Sequence, residues 1–238
     1  MDKKTLLYKA RSLKIKMLHR VYDPKTEKGI IEQFHRLYYD YSICGESYKK
    51  TFWMGTLTMK CPLDLWIYQE IIFQTRPDMI VECGTAEGGS ALYLASILDL
   101  VNKGRVITID IKRVKVPRHK RITYLVGSTV SDEIVEKVKS FIKKGDKVMV
   151  ILDSDHHKDH VLKELRIYSD IVTKGNYLIV EDTNLNGNPV VPAFGPGPKE
   201  AVEEFLKSNK NFIIDKSREK FYLTFNPSGY LFKKFDNK

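Results

Sequence analysis

The chain has 238 residues, of which 42% are hydrophobic and 29% are charged, a balance typical of a globular domain. A chain of this length can bury a substantial core, and no apolar run is long enough to cross a bilayer. The first residues lack the apolar core of a signal peptide. Three cysteines, Cys44, Cys61 and Cys83, are too few for a disulfide framework, so we expect a reducing cytoplasm.

The net charge of +10 is concentrated near the N-terminus. Residues 1–28 contain nine Lys or Arg and three Asp or Glu, and apolar residues recur there at helical spacing from Leu6 to Leu18. This pattern predicts a basic amphipathic helix, which suits a membrane surface, RNA or a second subunit. Interleaved aromatic and basic residues typical of RNA binding are absent elsewhere. We therefore expect this helix to pack on the chain itself or on another subunit of a homo-oligomer. We do not expect it to bind nucleic acid.

Two further helices are predicted before the first strand. Residues 30–41 form one, residues 42–60 are irregular, and residues 65–74 form the other. The run Arg76-Pro77-Asp78 ends the last helix, because proline cannot continue it.

From Met79 onward, apolar strands alternate with helical segments, which predicts an α/β fold with helices on both faces of a mostly parallel sheet. Strands are expected near 79–83, 105–110, 122–126, 147–153, 176–181 and 211–215. A last pair, 221–225 and 230–233, is joined by a turn signal over 226–229, so the sheet should finish antiparallel. The fold class is a doubly wound, seven-stranded, Rossmann-like sheet with an N-terminal helical extension.

A glycine-rich turn follows the first strand and precedes a helix. It reads Gly84-x-x-x-Gly88-Gly89, not the Gly-x-Gly-x-x-Gly that suits a dinucleotide. Glu82 stands just before it, and an acid there would repel a phosphate but suit an ammonium group, as in S-adenosylmethionine. The candidate cofactor-binding residues of this turn are Glu82, Gly84, Thr85, Gly88 and Ser90.

The next two strand ends extend this candidate cofactor site. Asp110 ends the second strand, where this fold class places the carboxylate that accepts ribose hydroxyls. Gly127 and Ser128 follow the third strand, where an adenine edge would lie. Ser128 or Ser131 would also serve as a helix N-cap, and both interpretations stay open.

Acidic residues follow two later strands. Asp153 and Asp155 follow one strand, and Glu181 and Asp182 follow the next. Crowded carboxylates repel one another, and a hard divalent cation such as Mg²⁺ relieves that repulsion. Asp153 is also a candidate cofactor contact.

The neighbouring residues of the first acidic run are candidates for proton transfer. His156 is the first choice as general base, with His157 and Lys158 behind it. His160 adds a third histidine to this run, and a zinc site is therefore an alternative. We disfavour it because the motif His-Glu-x-x-His is absent.

Four motifs together resemble the cephalosporin hydroxylase family, which includes rhamnosyl O-methyltransferases. They are Glu82-Cys-Gly-Thr-Ala-Glu-Gly-Gly-Ser90, Leu152-Asp-Ser-Asp-His156, Val180-Glu-Asp-Thr183 and Phe194-Gly-Pro-Gly-Pro198. The resemblance implies a class I methyltransferase fold over residues 51–238, after an extension over residues 1–50. It also implies S-adenosylmethionine as methyl donor and a bound divalent cation.

The resemblance also assigns roles to single residues. Glu181 and Asp182 match paired metal ligands, and the third ligand falls on Asp153 or Asp155, which stays open. His156 matches the base. The expected activity is Mg-dependent O-methylation of a small-molecule or sugar hydroxyl. The loop over 184–198 is rich in Gly, Pro and Asn and follows the metal acids directly, so it is either a substrate lid or a rigid turn.

Two other hypotheses remain in competition with methyl transfer. One is a non-catalytic protein that keeps the cofactor fold and docks on RNA or a membrane through the leader, but the acidic cluster argues against it. The other is an NAD-dependent oxidoreductase, which the missing dinucleotide motif disfavours.

Overall fold

The computed structural model describes residues 24–40 and 47–235. The predicted leader helix between Leu6 and Leu18 lies outside the described residues. Helix α1 (Pro24–Tyr39) contains most of the second predicted helix and begins six residues earlier than expected. A short 3-10 helix (Ser47–Lys50) and a hairpin of β1 (Phe52–Trp53) and β2 (Thr56–Leu57) follow.

Helix α2 (Pro62–Thr75) leads into the main sheet. Proline stands at its first turn, where no backbone N–H is needed, and Arg76 ends it in a left-handed conformation with φ of 49°. The seven strands of the sheet are β3 (Met79–Cys83), β4 (Arg105–Asp110), β5 (Ile122–Val126), β6 (Val148–Leu152), β7 (Tyr177–Val180), β8 (Phe212–Ile214) and β9 (Tyr230–Lys233). Their spatial order is β5-β4-β3-β6-β7-β9-β8.

Helices connect these strands and cover both faces of the sheet. They are α3 (Gly89–Leu100), α4 (Asp132–Phe141), α5 (Lys158–Tyr168) and α6 (Pro198–Ser208), with a 3-10 helix at Lys216–Glu219. One apolar cluster packs α2 and α3 on one face, and a second packs α4, α5 and α6 on the other. Strands β3, β6 and β7 are buried along their whole length because both of their faces are covered.

The sheet finishes antiparallel, as predicted, but residues 221–225 are not a strand, so that prediction was wrong. Strand β9 pairs with β7 and β8 instead. The carboxylate of Asp64 on α2 accepts hydrogen bonds from Thr224 Oγ1 (2.5 Å), the backbone N of Phe225 (2.8 Å) and Tyr230 Oη (2.7 Å). These bonds hold the segment against α2 rather than in the sheet.

Helix α1 packs against this last segment. The rings of Tyr39 and Phe225 lie 5.0 Å apart, and Nε2 of His35 donates to the backbone oxygen of Tyr222 at 2.8 Å. Burial lowers the pKa of His35. The described part of the extension is therefore anchored to the sheet domain, while the boundary at residue 50 stays a prediction. None of the helices in the described ranges is long and apolar enough to span a bilayer.

The strand order creates a switch point. Strand β3 pairs with β4 on one side and with β6 on the other, both parallel. The chain proceeds from β3 to β4 and β5, and returns to the opposite side with β6. In open α/β sheets ligands bind at the carboxyl ends of the strands beside such a point. The residues after β3 and β6 are therefore expected to border a ligand site.

Candidate active site

The carboxyl ends of five parallel strands, β3 to β7, lie at this edge. The backbone N of Asp153 donates to Cys83 O at 2.7 Å, and the backbone N of Glu181 donates to Leu152 O at 3.0 Å. A cavity of about 320 Å³ opens there, within the size range of small-ligand pockets, roughly 300–1,000 Å³. It is lined by Gly84, Ala86, Ile109, Asp110, Ile111, Ser128, Thr129, Asp153, Ser154, Asp155 and His160.

The glycine turn is shaped by close approach of the protein's own backbone. Gly84 has φ of 101°, and a Cβ there would overlap the backbone oxygen of Asp153. A Cβ at Gly89 would overlap the backbone oxygen of Leu57 on β2. These glycines therefore let β3 approach β6 and let α3 approach the hairpin, and Gly84 also lines the cavity.

Asp110 holds the same turn from β4. Its Oδ2 accepts from the backbone N of Thr85 (3.1 Å) and Ala86 (3.0 Å), and its Oδ1 accepts from Lys112 N (2.9 Å). Asp110 also lines the cavity, and its carboxylate fixes the turn.

Glu82 lies beneath the turn rather than in the cavity lining. Its Oε2 accepts from Thr108 Oγ1 at 2.6 Å, and Thr108 Oγ1 lies 2.8 Å from Thr85 Oγ1. Burial raises the pKa of Glu82 to about 7. Its Oε1 is buried with no hydrogen-bond partner among the described residues. An unpaired buried carboxylate oxygen fits the ammonium group of an amino-acid cofactor.

The other predicted cofactor residues divide into two groups. Ser128 lines the cavity. Gly88 is the residue before α3 and packs against Val116 and Pro117, and a Cβ on Gly127 would overlap Ile134. Ser90 is buried, and its side chain opposes the rise in the pKa of Glu82, so it lies beneath the turn and not in the cavity lining.

Three candidate metal ligands come together after β6 and β7. Asp153, His156 and Asp182 each offer one ligand atom, and these atoms lie within 4.8 Å of one another. Nε2 of His156 is 3.3 Å from Asp182 Oδ2. Burial raises the pKa of Asp182 to about 6, and His156 opposes that shift. Two carboxylates and an imidazole fit a hard or borderline divalent cation.

Asp155, His157 and Lys158 lie outside this cluster, although Asp155 lines the cavity. Asp155 is exposed, and its Oδ1 accepts from the backbone N of His157 at 2.8 Å and lies 2.7 Å from the ring Nδ1. The His157 ring stacks on Phe194, and Nζ of Lys158 lies 2.7 Å from Glu204 Oε2. Of the three candidate bases, only His156 lies at the acidic cluster.

Glu181 meets a cation that sequence reasoning missed. Nζ of Lys60 lies 2.6 Å from Glu181 Oε1 and 2.5 Å from Asp153 Oδ2, and Tyr68 Oη also donates to Glu181 Oε1. Lys60 is 4% exposed, and although burial lowers its pKa, Asp153 and Glu181 raise it more strongly. Lys60 lies in a segment predicted as irregular, and no local pattern distinguishes it from the other lysines.

A second buried acid behind the cavity was also missed. Glu164 Oε1 accepts from Thr129 Oγ1 (2.5 Å) and Ser154 Oγ (2.6 Å), and lies 3.4 Å from Nε2 of His160. The hydrogen bond with Glu164 raises the pKa of His160. The spacing of His160 and Glu164 on one helix is visible in the sequence, but it does not reveal that the acid is buried under the cavity wall.

The loop over 184–197 approaches His156 at its end, where a Cβ on Gly197 would lie 3.5 Å from the backbone oxygen of His156. Asn186 Nδ2 donates to Glu200 Oε1 at 3.1 Å, and the backbone N of Lys158 donates to Pro196 O at 3.0 Å. On its outer side, Nε of Arg36 on α1 donates to Pro189 O at 3.1 Å. The predicted lid is therefore tied to α1, to the start of α5 and to α6.

The doubly wound sheet, the glycine turn and the acid-lined cavity at its switch point are the features of a Rossmann-like methyltransferase. The family model described as Rhamnosyl O-methyltransferase/CmcI matches residues 46–234. The chain belongs to this family.

Curated relatives agree with this assignment. A rhamnosyl O-methyltransferase of Mycobacterium bovis (strain BCG / Pasteur 1173P2) is 36% identical over 217 residues, covering 88% of this chain and 87% of the relative. One of Mycobacterium leprae (strain TN) is 34% identical over 213 residues, covering 87% and 91%. The predicted family and the predicted enzyme class, an S-adenosylmethionine-dependent O-methyltransferase, are confirmed.

Solved structures show the same fold. An apo structure of CmcI has a TM-score of 0.62 at 20% identity and covers 79% of this chain and 77% of that one. A CmcI structure with Mg and SAM has a TM-score of 0.60 at 19% identity, covering 79% and 78%. The predicted fold class is confirmed.

Proposed function

We propose that this protein transfers a methyl group from S-adenosylmethionine to a hydroxyl group of a sugar, with a divalent cation beside the acceptor oxygen. The observation that carries the proposal is the cluster of Asp153, His156 and Asp182 at the edge of the cavity that Gly84 and Asp110 line. One cavity would thus place a methyl donor next to a cation and a base. The names of the curated relatives support the class of acceptor.

The cofactor would occupy the cavity at the switch point. Asp110 would receive the ribose hydroxyls while it holds the turn, and Ser128 would lie beside the adenine. The unpaired oxygen of Glu82 is a reason to place the ammonium group of the cofactor close to the turn. The backbone N–H groups at the start of α3 add donors for the polar end of the cofactor.

The cation would be held by the carboxylates of Asp153 and Asp182, together with the second oxygen of Glu181. Asp153 is chosen over Asp155 because Asp155 is turned toward His157 and solvent. When bound, S-adenosylmethionine supplies an electrophilic methyl group and the cation supplies a Lewis acid that lowers the pKa of the acceptor hydroxyl.

His156 would take the proton of the acceptor hydroxyl at its Nε2 atom. The carboxylate of Asp182, 3.3 Å from that atom, would stabilise the imidazolium that forms. His157 and Lys158 are engaged by Asp155, Phe194 and Glu204 and would take no part in the proton transfer.

The acceptor would enter beside the loop over 184–197, which would form one wall of its pocket because its end approaches His156. A rhamnosyl hydroxyl is the acceptor we propose, from the curated relatives. The cytoplasmic location and the homo-oligomeric state stay predictions.

The direct test is transfer of a labelled methyl group. Purified protein is incubated with [methyl-¹⁴C]S-adenosylmethionine and an aryl rhamnoside, an aryl glucoside or a catechol, with Mg²⁺ or with a chelator. We expect labelled rhamnoside only when Mg²⁺ is present. Labelling of the catechol alone would overturn the sugar acceptor, and full activity in the chelator would overturn the metal-assisted mechanism.

A further inference from the structure

A buried lysine joins the two strand ends that carry the acidic cluster. Nζ of Lys60 contacts Asp153 Oδ2 after β6 and Glu181 Oε1 after β7, at 2.5 and 2.6 Å. The side chain of Lys60 is only 5% exposed and that of Glu181 only 2%. A buried ammonium group is costly unless it is paired, so this arrangement is fixed by both carboxylates at once.

Among the described residues, each carboxylate accepts hydrogen bonds through one oxygen. Lys60 and Tyr68 both donate to Oε1 of Glu181, and Lys60 binds Oδ2 of Asp153. Tyr68 is itself fixed, because Asn226 Nδ2 donates to its hydroxyl at 3.0 Å. No hydrogen bond from a described residue reaches Oδ1 of Asp153 or Oε2 of Glu181, so these two oxygens could serve a second cation.

The charges of the cluster lead to the same conclusion. The carboxylates of Asp153, Glu181 and Asp182 bring three negative charges to one edge, and the ammonium group of Lys60 neutralises one of them. The remaining two match one divalent cation. Without Lys60, the carboxylates would repel one another and turn apart toward water.

We propose that Lys60 is a positioning residue of the metal centre, which holds Asp153 and Glu181 by one oxygen each and presents their other oxygens to the cation. This inference rests on the proposed function, since it assumes that a divalent cation binds there. Lys60 acts through the two carboxylates and does not contact the substrate. Partners of metal ligands commonly change metal affinity about 10–100-fold when they are removed.

The test is binding of Mn²⁺ to the full chain, followed by the electron paramagnetic resonance signal of the free ion. Lys60→Met keeps the length of the side chain and removes its charge. We expect its Mn²⁺ dissociation constant to rise about 10–100-fold. The matched control is Lys233→Met, because Lys233 is also buried but its Nζ donates to backbone oxygens of Ser169 and Val172, away from the cluster.

The outcomes separate this inference from the proposed function. Unchanged Mn²⁺ affinity in Lys60→Met would show a merely structural lysine, and tighter binding would show that Lys60 competes with the cation, so either result overturns the inference. A wild-type chain that binds no Mn²⁺ would overturn the proposed metal centre as well. The affinity for S-adenosylhomocysteine, measured in chelator, should stay the same in all variants.

A second variant keeps the test valid if Lys60→Met does not fold. Tyr68→Phe deletes only the hydroxyl that donates to Glu181 Oε1. We expect weaker Mn²⁺ binding than in the wild type, with a smaller change than in Lys60→Met because the ammonium group remains. If folded Tyr68→Phe bound Mn²⁺ with wild-type affinity, the contacts to Glu181 Oε1 would not position the metal centre, which would count against the inference.

Discussion

Replacing Asp153 and Asp155 one at a time distinguishes the two acids that the sequence left open. Asp153→Asn keeps the shape of the side chain and removes the charge that faces His156, Asp182 and Lys60. Asp155→Asn removes a carboxylate of the same loop that pairs with His157. We expect metal binding to depend on the first residue and not on the second.

The size of the effect follows from the contacts of each side chain. Outer partners of metal ligands change affinity about 10–100-fold, so loss of the Asp153 carboxylate itself should weaken Mg²⁺ binding at least about 100-fold. Without metal, Asp153→Asn loses one charged hydrogen bond to Lys60, whose other partner Glu181 remains. We expect a loss near the low end of about 1.5–3 kcal/mol in unfolding free energy, because Asp153 is 22% exposed. The exposed pair of Asp155 and His157 contributes about 0–1 kcal/mol to the unfolding free energy.

Calorimetric titration of Mg²⁺ into wild type and both variants measures the affinities, and urea unfolding in chelator measures the stabilities. Asp155→Asn should bind Mg²⁺ as the wild type does. Loss of binding in Asp155→Asn with normal binding in Asp153→Asn would refute the ligand set proposed from the geometry.

Three other predictions concern a base, a buried acid and a structural acid. His156→Ala should lower kcat about 10²–10⁴-fold with metal affinity retained within about tenfold, and His157→Ala should leave kcat unchanged; equal losses in both would exclude the assignment of the base. Glu164→Gln should weaken S-adenosylhomocysteine binding in calorimetry, because Thr129 and Ser154 in the cavity wall lose a charged acceptor. Burial raises the pKa of Asp64 to about 7 from 3.8, so its ionisation should cost stability as the pH rises through that interval, by up to roughly 4 kcal/mol. Asp64→Asn should remove this fall, and urea midpoints that decline equally in both proteins between pH 4 and 8 would contradict it.

The strand ends could be predicted because they combine two local signals. Apolar runs that end in an acid or a glycine marked Gly84, Asp110, Asp153 and Glu181, and all four follow or end buried parallel strands in the structure. Strand alternation could not choose between Asp153 and Asp155, because the strand stops at Leu152 and the backbone then turns.

Contacts between distant segments could not be predicted. Lys60 is 93 residues from Asp153 along the chain and 121 from Glu181, and nothing in its own neighbourhood marks it. The run over 221–225 is apolar and was predicted as a strand, but the hydrogen bonds of Thr224 and Phe225 to Asp64 hold it outside the sheet. The local pattern correctly predicted that the run is apolar. The predicted pairing of this run with 230–233 was wrong.

The central claim is that the methyl donor and the cation share one cavity, with Asp153 beside both. Paramagnetic relaxation by Mn²⁺ of the ¹³C-methyl resonance of bound [methyl-¹³C]S-adenosylmethionine tests this directly. We predict that Mn²⁺ strongly broadens this resonance in the wild type. In Asp153→Asn, the broadening should disappear while the cofactor stays bound. A sharp methyl resonance in a wild-type chain that binds both Mn²⁺ and the cofactor would contradict the shared site.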